Sequence, residues 1–405
     1  MRQSTLLTVR EWRTLPSDEH GLRPVDTNRL RVAAKRAARR LALREDAVLK
    51  LTDKGMGLRA QQVVGILAVP GITVEILPKV DGEDGAVRAA LVQMLAVARG
   101  IRPTSGDLAA METQRHDLLE LLIQLFADRL LATVRRGLPR RYVRHDEDLG
   151  VLRGALNVKR QFTALLTRPD LVACRFDELS EDTPLNRVFK AAATRLAGLT
   201  RSWGNHRRLM ELLARLDNVA DSASPLKEPV ALDRTNVAFH DLHRLAMLFL
   251  RGDWQQTATG RASGFSLLFP MNDLFEEFVG RSLQKALGVD RVRLQHQRRA
   301  LNSPHYLLRP DMVVDVDGQP VVVLDTKWKR LGDGPKREDV NQMLVYGQAY
   351  GAERVILVYP WHEAVGEKGT HRRWTVTGPG YDFETATVDV GHPAQVPQSL
   401  RGLFE

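Results

Sequence analysis

Two stretches near the C-terminal end, YLLRPDMVVDV (306–316) and PVVVLDTKWK (320–329), decide how the chain reads. Both are rich in β-branched residues and bounded by turn-forming ones, so each is expected as a strand. They flank Asp317-Gly318, a dipeptide typical of hairpins. Side chains alternate along a strand. Arg309, Asp311 and Val313 therefore share one face of the first, and Val323, Asp325 and Lys327 one face of the second. Register decides whether the two aspartates meet. An odd connection, 317–319, sets Asp311 opposite Asp325, whereas a two-residue connection sends them to opposite faces. The odd connection is expected, because two carboxylates and a lysine on one partly buried face are costly unless they pair or hold a cation.

A hard divalent ion suits such a face. Mg²⁺, with Mn²⁺ as a substitute, takes carboxylate oxygens and keeps several waters. Asp311 and Asp325 supply two ligands and the carbonyl of Thr326 a third, with Lys327 placed to orient or deprotonate an attacking water. The competing reading is a plain Lys327–Asp325 ion pair. Upstream, Asn272 or Asp273 caps a helix whose buried face carries Phe275, Phe278, Val279, Leu283, Ala286 and Leu287. Glu276 lies at the edge of that stripe and can join the metal ligands, while Glu277 points to solvent. Downstream, a helix over 337–350 carries Gln342 and Tyr346 four apart on one flank. A further strand, RVILVY (354–359), follows it.

The rest of the chain divides into two more segments. Residues 1–105 read as a mixed α/β module. It holds an Ala/Arg-rich helix over 29–44, a hairpin of 63–69 and 72–77 around Pro70-Gly71, and a buried helix over 86–98. Residues 106–256 read as mainly helical, with a strong apolar stripe from Leu118 to Leu130 and a helix start at Thr183-Pro184. His240 and His243 lie three apart, but with no third ligand beside them they read as helix-surface residues. The Gly/Ser-containing stretch 257–264 is the expected boundary of a C-terminal α/β domain, 257–405.

The chain has 59 Lys and Arg against 49 Asp and Glu, a formal charge of +10, which favours a polyanionic partner such as DNA. Its one cysteine, Cys174, excludes an intrachain disulfide and a thiolate-rich metal site, in keeping with a reducing cytoplasm. No apolar run approaches the length that spans a bilayer. No G-x-x-x-x-G-K-[ST] loop is present, so nucleotide hydrolysis is not expected of this chain.

Arg309-Pro310-Asp311 followed by Asp325-Thr326-Lys327 resembles the PD-(D/E)xK nuclease signature, and Gln342-xxx-Tyr346 resembles the extra motif of its RecB-like branch. Three further segments, GITVEILPKV (71–80), CRFDELSEDTPLNRVFKAA (174–192) and FPMNDLFEEFVG (269–280), resemble the McrC family, nuclease subunits of McrBC-type modification-dependent restriction systems. The resemblance implies a restriction-endonuclease-like fold for 257–405 and catalytic roles for Asp311, Asp325, Lys327, Glu276, Gln342 and Tyr346. It also implies cleavage of double-stranded, modified DNA and an AAA+ GTPase or ATPase ring as partner, contacted through residues 1–105. Two other readings compete: a catalytically silent adaptor of that ring, and a stand-alone repair nuclease.

Overall fold

The computed structural model describes residues 5–16, 23–52, 57–101, 117–256, 262–299, 307–316, 319–332, 334–366, 371–378 and 380–405. The chain forms two compact units, one of Met1–Leu122 with Gly252–Glu405 and the other of Ile123–Arg251.

The first unit begins with β1 (Thr5–Arg10), α1 (Pro24–Arg40), β2 (Val63–Val69), β3 (Ile72–Leu77) and α2 (Asp84–Ala98). The expected hairpin is present: Val69 pairs with Ile72 across a turn in which Gly71 takes φ +84°. Both of its strands are almost wholly buried, so the hairpin needs neighbours on both edges and cover on both faces. β1 adds to β3 in parallel. On the other side comes β5 (Ala262–Pro270), antiparallel to β2 and followed outward by β4 (Asp253–Gln256). One face is covered by α1, whose Leu30, Ala33, Ala34, Ala37 and Ala38 join the core beneath the sheet.

This sheet corrects the expected three-segment division. Of the supposed linker 257–264, residues 257–261 lie outside the described residues, but 262–264 belong to β5. The N-terminal module and the C-terminal third therefore share one sheet. The reason is satisfaction of β2's open edge, which the strand ASGFSLLFP supplies. A Gly/Ser-containing strand start reads as a loop when its partner is some two hundred residues away.

Beyond β5 the unit continues with α3 (Met271–Leu287), β6 (Val292–Leu294), β7 (Met312–Val316), β8 (Gln319–Thr326), α4 (Arg337–Tyr350), β9 (Arg354–Pro360), β10 (His371–Thr375), β11 (Asp382–Val388) and α5 (Val396–Arg401). The strands form a mixed sheet in the order β6-β7-β8-β9-β11-β10. β6, β7 and β8 are antiparallel neighbours, β8, β9 and β11 run parallel, and β10 closes the edge antiparallel. Met343, Tyr346 and Tyr350 of α4 pack on the face carrying Val313, Val323, Val355 and Leu357.

Register at the site matches the expectation, but by another route. Met312 pairs with Leu324 and Val313 with Val323, which, continued by one residue, sets Asp311 opposite Asp325. Near the turn Val316 pairs with Gln319, so the connection is 317–318, two residues that lie outside the described ones. The register shifts between Val314 and Asp315, where Val322 and Pro320 are their partners and Val321 is the extra residue. A one-residue bulge thus does what the odd loop was expected to do. Pro320, which has no N–H to give the ladder, lies beside the irregularity.

The second unit is mainly helical, as expected, but it also holds a three-stranded antiparallel sheet that was not expected. Arg141–Leu149 pairs antiparallel with Val172–Ser180 along all nine residues, and Ala155–Leu156 adds a short third strand. Neither long strand alternates apolar with polar residues. They are joined by charge pairs such as Arg175 Nε to Asp146 Oδ1 at 3.0 Å, which apolar periodicity does not reveal. The helices Pro184–Ala197, Trp203–Arg215 and His240–Arg251 follow. Thr183 caps the first as expected, accepting from Asn186 N at 3.2 Å. His240 Nε2 is engaged by Asn236 Oδ1 at 2.9 Å, a helix-entry role.

Gly65 lies where the backbones of β2 and β5 leave no room for a side chain. It takes φ +124°, and a Cβ there would lie 2.1 Å from the carbonyl oxygen of Leu267 in β5. Gly65→Ala is expected to destabilise the protein by at least about 2 kcal/mol, through strain and a broken β2–β5 ladder. Denaturant unfolding of the variant checks this; an unchanged midpoint would refute the pairing.

Candidate functional site

The paired ends of β7 and β8 bring Asp311, Thr326 and Lys327 to one cleft of about 320 Å³, which Glu276 of α3 also lines. Asp311 is held from its partner strand: its Oδ2 accepts hydrogen bonds from Thr326 N and Oγ1, both at 2.6 Å. Asp325 lies behind it, 2 % exposed, with Lys327 Nζ at 2.5 Å from its Oδ2. This contact is a close ion pair against a buried carboxylate oxygen. Lys327 Nζ also donates to Gln342 Oε1 at 3.0 Å, and Gln342 Nε2 donates to Tyr346 Oη at 3.0 Å. The i,i+4 spacing on α4 therefore forms one chain of contacts, Tyr346 to Gln342 to Lys327 to Asp325.

Electrostatically the site is short of positive charge. Burial raises the pKa of Asp311, against the opposing effect of the Thr326 hydrogen bonds. Burial also raises Asp325, and the neighbouring Asp311 adds to it, with Lys327 offsetting only part. Glu276 is pushed up to about 7, first by burial and then by Asp311. These are the shifts expected where a cation belongs.

The donor set fits a hard ion: two carboxylates at adjacent strand ends, one buried and the other held by the Thr326 backbone N–H. Among the described residues, no three His, Cys, Asp or Glu side chains converge as a ready ligand group. Glu276 is accordingly not gathered with the two aspartates. Its Oε1 accepts from Gln295 Nε2 at 2.7 Å, and Gln295 Oε1 accepts in turn from Arg309. Two carboxylates and a carbonyl suit an ion that keeps much of its water, as Mg²⁺ does. Glu277, expected in solvent, is half-buried and accepts from Arg99 Nη1 at 3.2 Å; the partner is a helix-end residue of the N-terminal segment, invisible to the local pattern.

Sequence reasoning missed the surroundings of Lys327. Gln295 sits in the left-handed region at φ +48°, with its N–H on Asp311 O at 2.8 Å. Trp328 is buried against Phe275 of α3, ring centroids 5.3 Å apart, and its indole N–H donates to Glu11 Oε2 at 2.9 Å. Lys79 N donates to the same carboxylate at 3.2 Å, and Lys79 Nζ to Trp328 O at 3.4 Å. The N-terminal segment thereby grips the residue that follows the lysine. The tryptophan in DTKWK was the available signal; its partners are some 250 and 317 positions away.

The structure thus places two carboxylates and a lysine at the paired ends of two strands in a mixed sheet. The sequence matches the family described as McrBC 5-methylcytosine restriction system component over residues 58–360, and the chain belongs to that family. Two solved structures resemble it. One is described as a refined half-complex from a tetradecameric assembly of Thermococcus gammatolerans McrB AAA+ hexamers with bound McrC. The matched chain is 23% identical, with a TM-score of 0.77 and coverage of 99% of both chains. The other is a cryo-EM structure of the Thermococcus gammatolerans McrBC complex, 26% identical, with a TM-score of 0.58 over 70% of this chain and 88% of that one. No curated protein matches. No helix of the described residues is long and apolar enough to cross a membrane.

Glu11 yields a stability test. Burial lifts its pKa from 4.5 to about 7, with the Trp328 hydrogen bond opposing. A carboxyl raised on folding is protonated in the folded state where the unfolded chain has already ionised. Stability should therefore fall as pH climbs from about 4.5 to 7 and level off above, by about 3 kcal/mol from this group. Glu11→Gln keeps an acceptor for Trp328 and removes that slope. Unfolding free energies of both proteins at pH 5 and pH 8 give the double difference; parallel behaviour would contradict the assignment.

Proposed function

We propose that the chain is the Mg²⁺-dependent endonuclease subunit of a restriction complex. It would cleave double-stranded, modified DNA while docked on an AAA+ NTPase ring whose hydrolysis it stimulates. The observation that carries this reading is the meeting of Asp311 and Lys327 at one cleft with Asp325 buried behind them against the lysine, in the strand-end arrangement expected of a PD-(D/E)xK centre. Membership in a 5-methylcytosine restriction family supports modified DNA as the substrate. Likeness to chains in assemblies of McrB AAA+ hexamers with bound McrC supports the ring as partner.

Asp311, Asp325 and the carbonyl of Thr326 would hold the ion. When bound, it supplies charge neutralisation at the scissile phosphate and a more acidic water. Lys327, fixed between Asp325 and Gln342, holds its ammonium at the cleft to orient the attacking water and the phosphate oxygen. Tyr346 fixes the Gln342 amide so that its oxygen faces the lysine. Glu276, held by Gln295 and with a pKa near neutrality, offers a carboxyl that can hold or release a proton on the α3 side of the cleft. Asp325 stays buried behind these groups, where water competes least for its charge.

Asp325→Ala is expected to abolish cleavage, by at least about a thousandfold, while leaving ring binding and stimulated nucleotide hydrolysis intact. Full complex function in that variant would make the chain a silent adaptor. Robust cutting by the wild-type chain without partner or nucleotide would make it a stand-alone nuclease. Lys327→Ala should likewise stop cleavage yet change DNA affinity little, since one lysine is a small share of phosphate binding. A normal cutting rate in a gel assay would remove Lys327 from the mechanism.

A further inference from the structure

The N-terminal segment carries a basic and aromatic patch that adjoins the cleft. Gly57–Ala60 pairs with Leu49–Leu51 on one side and with Thr14–Pro16 on the other, and this small sheet sets Lys50 directly opposite Arg59. Both side chains are exposed, and neither has an ion-pair partner among the described residues. Like charges placed opposite each other across a ladder repel, so the arrangement is unfavourable until an anion lies over it. The basic face of α1 differs, because Asp26 pairs with Arg23 and Glu45 with Lys35 and Arg39.

Trp12 stands beside Arg59, which donates from Nε to Trp12 O at 3.1 Å and lies 5.8 Å from the indole centroid. Trp12 takes φ +65°, unfavourable for a residue with a Cβ, and its N–H is tied to Ala60 O at 3.0 Å. The indole is therefore displayed, 37 % exposed, at a strained and fixed position. Lys79 links this patch to the cleft: its Nζ is 5.9 Å from the Trp12 centroid and 6.0 Å from that of Trp328, which lines the cleft beside Lys327. Burial depresses the Lys79 pKa against the opposing pull of Glu11, and a phosphate beside the ammonium would offset more of that cost.

We propose that Trp12, Lys50, Arg59 and Lys79 form the track on which the substrate DNA backbone lies as it leaves the cleft. Lys50, Arg59 and Lys79 meet phosphates, and Trp12 is the flat platform for a nucleotide left unpaired at the cut end. The inference rests on the nuclease reading for its substrate. Nucleic acid is favoured over an acidic protein surface because Lys79 joins the patch to the proposed phosphodiester centre, and because indoles between cations suit a chain that alternates bases with phosphates.

The test is binding of a fluorescein-labelled DNA duplex with a single-stranded tail by the full-length chain in EDTA, so that neither cleavage nor metal affects the readout. The double variant Lys50→Glu/Arg59→Glu should bind about tenfold or more weakly, and its salt slope should be shallower by about two, one per lost phosphate contact. Trp12→Ala should weaken binding about tenfold with the salt slope unchanged, because stacking releases no counterions. Arg31→Glu/Arg36→Glu, the same change of charge on the exposed side of α1, should bind as wild type does. Circular dichroism confirms that each variant is folded. Overturning results are unchanged affinity in Lys50→Glu/Arg59→Glu, an equal loss in the α1 variant, or a loss of ring stimulation with DNA affinity intact, which would make the patch a protein-docking surface. A chain that binds DNA through this patch yet never cuts when combined with its ring, nucleotide and Mg²⁺ would sink the nuclease reading and leave the DNA-binding patch standing.

Discussion

Two carboxylates, Asp311 and Asp325, face each other across the ends of one strand pair with a single close ammonium, that of Lys327, set against Asp325. Such a concentration of buried negative charge is unfavourable in isolation, and burial lifts the pKa of both groups. The surrounding structure serves to hold it there. Thr326 gives two hydrogen bonds to Asp311, Gln342 and Tyr346 hold the lysine, and Glu11 and Lys79 clamp the residue after it. An unfavourable arrangement kept by so many supports is what the proposed function draws on.

The N-terminal segment is a structural part of this centre. β5 leads directly into α3, which presents Glu276, and β5 is itself a strand of the N-terminal sheet. Gln62 O accepts from Met271 N at 3.0 Å at the first residue of α3. The orientation of α3, and of the loop carrying Trp328, thus depends on residues that precede them by some two hundred positions or more.

Much of the site was legible because its logic is local. Alternation along 306–316 and 320–329 put Asp311 on one face of its strand and Asp325 with Lys327 on one face of the next, and a four-residue spacing put Gln342 beside Tyr346. The register was right for a partly wrong reason: the connection is two residues long, and the bulge at Val321 restores the alignment that a longer loop was expected to give. A bulge has no strong residue signature when it falls among valines. The domain boundary failed at β5, and the long ribbon 141–149 with 172–180 was missed, because in both the deciding partner is remote or the pairing is carried by charges. Glu276 was correctly turned toward the cleft, but its engagement with Gln295 depends on a left-handed residue that no periodicity announces.

Diffraction from crystals soaked in Mn²⁺ would test the central claim most directly. The account requires an anomalous peak within ligand distance of Asp311 and Asp325 carboxylate oxygens, absent from crystals of Asp325→Asn. Bound manganese elsewhere in the chain with this pair vacant at saturating ion, or a peak that persists without the Asp325 carboxylate, would contradict it.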